Sequence, residues 1–148
     1  MAAIHSYHKI LTVREREKNV AQSAYSQSVE SFEKIANQLY ELLKQKEAME
    51  ENYQVQLCGN GTVSTLLSHS DYLLRLKAQI ALLEKKVNKA RTEMNGKQEE
   101  LTEAHKEVKK IEKLMEQKRQ YDLTIKWKQE ANLMDETSVL QFINRKDR

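Results

Sequence analysis

Proline is absent from all 148 residues, glycine occurs three times and cysteine once. Without proline, and with almost no glycine, nothing interrupts long helices except where the three glycines fall. A lone Cys58 excludes an internal disulfide framework. Aromatic residues make up only 6% of the chain, and 32% of residues are charged, too few large apolar groups for a globular core of normal thickness. No stretch approaches the roughly 20 apolar residues needed to cross a bilayer, so any membrane association is expected to be peripheral and through a partner. The Met1 end also lacks the apolar stretch of a signal peptide, so the expected compartment is cytoplasmic.

A mean hydropathy of -0.79 alone would suggest disorder, but the apolar residues are not scattered. From Leu73 onward they recur at alternating steps of three and four: Leu73, Leu76, Ile80, Leu83, Val87, Ala90, Met94, Lys97, Leu101, Ala104, Val108, Ile111, Met115, Lys118, Asp122 and Ile125. This is a coiled-coil heptad, broken only by Lys97, Lys118 and Asp122. A weaker stripe at Leu11, Ala21, Tyr25, Phe32, Ile35, Leu39, Leu42, Met49 and Tyr53 supplies a partner helix within the same chain.

Helix-forming composition lapses at Cys58-Gly59-Asn60-Gly61 and the Ser- and Thr-rich residues after it. Ser68 with Asp71, or alternatively Ser70, provides an N-cap for a second helix. The expectation is therefore a single all-α coiled-coil domain over 1–148, an α-helical hairpin with helix one at about 4–57, a turn at about 58–69 and helix two at about 70–144. Matching the stripes antiparallel pairs positions whose numbers sum to about 126. Tyr53 then meets Leu73, Phe32 meets Met94 and Leu11 meets Met115, while Arg14 and Lys18 make the far end the most polar part of the hairpin. Beyond about Asp122 helix two has no partner, yet it carries Leu123, Trp127, Leu133, Met134, Leu140, Phe142 and Ile143, which call for an external groove.

Signals of chemistry are weak. His5 and His8 lie one turn apart but no suitably spaced ligand accompanies them, so no metal is assigned. The basic stretch Lys85, Lys86, Lys89, Arg91 has acidic residues interleaved around it and no aromatic platform, and reads as a solvated flank rather than a nucleic-acid site. Asn60-Gly61-Thr62 reads as a turn rather than a glycosylation site, and Cys58 as a reduced thiol. There is no phosphate-binding loop, no nucleophile elbow and no paired acid and base, so neither catalysis nor a cofactor is expected.

The ends resemble a known family. Tyr7-His8-Lys9-Ile10-Leu11, then Arg14-Glu15-Arg16-Glu17-Lys18 and the helix from Tyr25 to Leu43, is similar to the opening of the FliJ family of bacterial flagellar export proteins. So is the close, where Asp135-Glu136 precedes Phe142-Ile143-Asn144-Arg145. The resemblance implies an antiparallel two-helix coiled coil similar to the γ stalk of rotary ATPases. Its terminal ends would enter the pore of the hexameric flagellar export ATPase, its turn-proximal half would meet the membrane export gate, and it would escort export chaperones at the cytoplasmic face of the membrane. A hairpin whose second helix is about 110 Å long at 1.5 Å per residue is slender enough for the axis of a ring.

On this reading Trp127, Leu133, Met134, Leu140, Phe142 and Ile143 anchor the ATPase ring, and Arg14, Arg16, Lys18, Lys126, Lys128 and Arg145 meet its acidic or polar lining. Tyr53, Tyr72, Leu73 and Leu76 are candidates for the gate, although Leu73 and Leu76 could equally close the last layer of the seam. Two other classes share the architecture. A prefoldin-like chaperone subunit requires β-hairpins between its helices, and a scaffold or tethering coiled coil would be a parallel dimer, which the Gly-Asn-Gly break opposes.

Overall fold

The computed structural model describes residues 2–59 and 61–146, which form two helices, α1 (Ala2–Cys58) and α2 (Val63–Lys146). They pack antiparallel as a hairpin, and no strand occurs among the described residues. By contacts the chain divides into two compact units. One joins Asn19–Glu103, which contains the turn, and the other joins Met1–Lys18 with Ala104–Arg148.

In the turn-containing unit the buried residues Leu73, Leu76, Ile80, Val87 and Ala90 all come from α2, with Leu83 and Met94 half-buried between and beyond them. Tyr25, Phe32, Ile35, Leu39, Leu42, Met49 and Tyr53 of α1 are half-buried opposite. The Arg91 guanidinium lies 5.7 Å from the centre of the Phe32 ring, within one helical turn of the Met94 pairing expected from the stripes. The unit of Met1–Lys18 with Ala104–Arg148 is held by buried Val108 and Met115 with half-buried Ile111, and on α1 by half-buried Ile4, Tyr7 and Leu11.

The half-buried positions of α1 step by three and four without a break from Ile4 to Gln56, passing through Arg14, Lys18, Ser28 and Lys46. The seam is thus longer than the apolar stripe that announced it. Long polar side chains occupy seam positions by laying their stems along the partner and turning their heads outward. Lys97 does so toward Glu100 at 3.4 Å, and Lys118 toward Asp122 at 3.6 Å. Ile125 does not close the seam: it is 36% exposed, and the last half-buried position is Asp122.

The connection is much tighter than the expected 58–69. Thr62, not Ser68 or Ser70, caps α2: its Oγ1 accepts from the Thr65 amide at 3.2 Å, and its carbonyl accepts from the Leu66 amide at 3.0 Å. The Ser and Thr residues that read as loop lie within the helix, because an early cap satisfies the free amides and leaves hydroxyls on the surface. Asn60 lies outside the described residues. Gly61 is required by space: a Cβ there would stand 2.8 Å from the Gln56 carbonyl oxygen. No room remains for the β-hairpins of a prefoldin-like subunit.

Candidate partner-binding surfaces

Every described residue from Leu123 to Lys146 is exposed, although the segment remains helical. Trp127 is 72% exposed, and Leu133, Met134, Leu140, Phe142 and Ile143 stand similarly open. Leu123 and Trp127 line a shallow groove with Gln120 and Thr124. A second groove is lined by Ile4 of α1 with Arg119, Asp122, Leu123, Lys126 and Gln129 of α2. It brings the beginning of α1 to the point where the α2 seam ends. Lys146 lies 5.5 Å from the Phe142 ring centre. Apolar groups in water are costly at about 25 cal/mol per Å², so a helix exposing this many is a candidate surface for a partner.

The cationic candidates divide. Arg16, Lys126, Lys128 and Arg145 are exposed and free to meet a partner. Arg14 and Lys18 are instead half-buried in the seam. Arg14 pairs through Nη1 with Glu17 at 3.0 Å, while its Nε is buried without an acceptor. Their stripe position explains this: 11, 14, 18 and 21 continue the heptad of α1 despite the two charges.

The turn-proximal candidates need a correction. Leu73 is 9% and Leu76 3% exposed, so both are seam core and present nothing to a partner. Heptad spacing put them there, and in a two-helix hairpin the inward position on α2 is covered by α1. Tyr53 is half-buried, and only Tyr72, 44% exposed, stands open, beside Met49, Ser64, Thr65, Ser68 and His69. Exposed apolar residues near the turn that are not among the sequence-predicted candidates are Val55, Leu57, Val63, Leu67 and Leu74. The available signal was negative: large aliphatics whose spacing takes them off the seam.

Among the described residues, none of the grooves above is lined by a converging set of reactive groups. What the surfaces define is a two-helix coiled coil whose second helix continues past its seam as an exposed arm. The family comparison then specifies it. Residues 4–147 match the model of the family described as "Flagellar FliJ protein". A flagellar FliJ protein of Bacillus subtilis (strain 168) is 35% identical over 143 residues, covering 97% of each chain. The chain belongs to the FliJ family and is a component of the flagellar type III export apparatus. Among solved structures, that of a YscO homologue from Chlamydia trachomatis is 21% identical and covers 95% of each chain at a TM-score of 0.43.

Proposed function

We propose that this chain links the flagellar export ATPase ring to the membrane export gate and escorts export chaperones, without catalysis of its own. The observation that carries the reading is the exposed helical arm from Leu123 to Lys146, which combines apolar anchors with Arg145 and Lys126 and lies in the same unit as the first turns of α1. Such an arm fits a ring pore lined by apolar and acidic groups, and membership of a flagellar export family supports the choice of a ring as partner. The turn-containing unit, where Tyr72 and the aliphatics around the turn are exposed, is left for the gate. No described helix is long and apolar enough to cross a membrane, and on this reading a peripheral location at the flagellar base comes through these partners.

The test is a bridging experiment. With the ATPase immobilised, the soluble domain of the gate should be retained only when the chain is added, and Tyr72→Ala should reduce that retention while leaving ATPase capture intact. Retention of the gate domain without the chain, or ATPase binding that excludes the gate, would contradict the linking role.

A further inference from the structure

The seam of α1 changes character toward its N-terminus. Between Ser28 and Leu42 the packed stripe is rich in Phe32, Ile35 and Leu39, while the stripe one residue earlier (27, 31, 34, 38, 41) is Gln, Ser, Lys, Gln and Glu. Only one face there can be buried. Around residues 10–18 the contrast reverses. The packed stripe is Leu11, Arg14 and Lys18, and the neighbouring one is Ile10, Val13 and Glu17, continuing to Val20. Val13 is 51% exposed beside Arg14, whose Nε is buried with no acceptor. A less apolar face is therefore packed while a more apolar one faces water.

We propose that this segment of α1 packs through either of two adjacent faces, the observed Leu11/Arg14/Lys18 face or an Ile10/Val13 face reached by an axial turn of about 100°, one residue of helix. The first face is held by continuity with Ile4 and Tyr7, which share its stripe. The second is favoured by freeing the Arg14 Nε, buried without an acceptor, and by covering Val13, and it brings Glu17 to the seam in place of Lys18. Turning buries Val13 and delivers Arg14 and Lys18 to the surface. A partner presenting carboxylates then selects the second face, a consequence that rests on the ring-docking reading above. The equilibrium between faces belongs to the free chain and does not.

The test uses the full-length chain alone, in a Cys58→Ser background. Ile111, half-buried on α2, receives the reporter cysteine (Ile111→Cys). It is paired in one protein with Arg14→Cys and in another with Val13→Cys, under a mild thiol redox buffer. Both disulfides should form, at rates within about tenfold of each other, and adding Arg14→Leu to the second protein should slow its link several-fold by holding the observed face. Formation of the Arg14→Cys link alone overturns the proposal. If neither link forms, alkylation of the single-cysteine chains decides: Val13→Cys reacting as fast as Arg16→Cys overturns it, and partial protection of both Val13→Cys and Arg14→Cys supports it. Failure here leaves the bridging experiment untouched, since that is read on the unmodified chain with its partners.

Discussion

Leu74 and Leu76 are two residues apart on one helix and have opposite surroundings, the first 64% and the second 3% exposed. Leu76→Ala removes methylenes from a filled seam and leaves a cavity, so it should lower stability by about 2–4 kcal/mol in denaturant unfolding. Leu74→Ala should stay within about 0.5 kcal/mol. The glycines behave likewise. Gly96 lies in the interior of α2 with nothing within 4 Å of an added Cβ, so Gly96→Ala should stabilise by up to about 1 kcal/mol. Gly61→Ala, meeting the Gln56 carbonyl, should destabilise. Equal effects at the two glycines would mean that the turn is looser than described. Thr62→Ala removes the cap of α2 and should cost about 1 kcal/mol.

At the level of elements, α2 was almost wholly legible. From Leu73 to Asp122 every position of its predicted seam is buried or half-buried, because alternating three- and four-residue steps admit one periodic structure. Helix α1 was legible only where its stripe is apolar. Arg14, Lys18, Ser28, Lys46 and Gln56 sit in the seam without the side chains that announce it, since hydrophobic patterning registers composition rather than position. The turn failed for a related reason, as Ser and Thr mark caps and loops alike, and only the hydrogen bonds of Thr62 distinguish them. At the turn the same heptad that located the core consumed Leu73 and Leu76, two of the four gate candidates. The unpaired arm was visible from the mismatch of helix lengths, and it carries a prediction at this scale. Ending the chain before Asp135 removes exposed helix and no seam residue, so the thermal transition followed by circular dichroism should keep its midpoint within a few degrees. A large fall in the midpoint would mean that the arm folds back onto the hairpin in solution.

For the whole molecule, the heptad of α2 is satisfied within its own chain, and burial there leaves no seam for a second copy along the hairpin. Sedimentation of the dilute protein should therefore return the monomer mass of 17.4 kDa, whereas a constitutive dimer would favour the tethering class of coiled coil over the hairpin account. Membership of the FliJ family places the chain in flagellar export, and the surface proposed for the ATPase is the exposed arm with the first turns of α1. The most direct measurement of that claim is assembly of the export ATPase hexamer as a function of added chain, comparing the full protein with the form ending before Asp135. The full chain should lower the ATPase concentration at which rings form, the shortened chain should not, and cells carrying only the shortened form should lose export and motility. Ring assembly by the shortened chain at the same concentration would contradict the arm's role as the ring anchor.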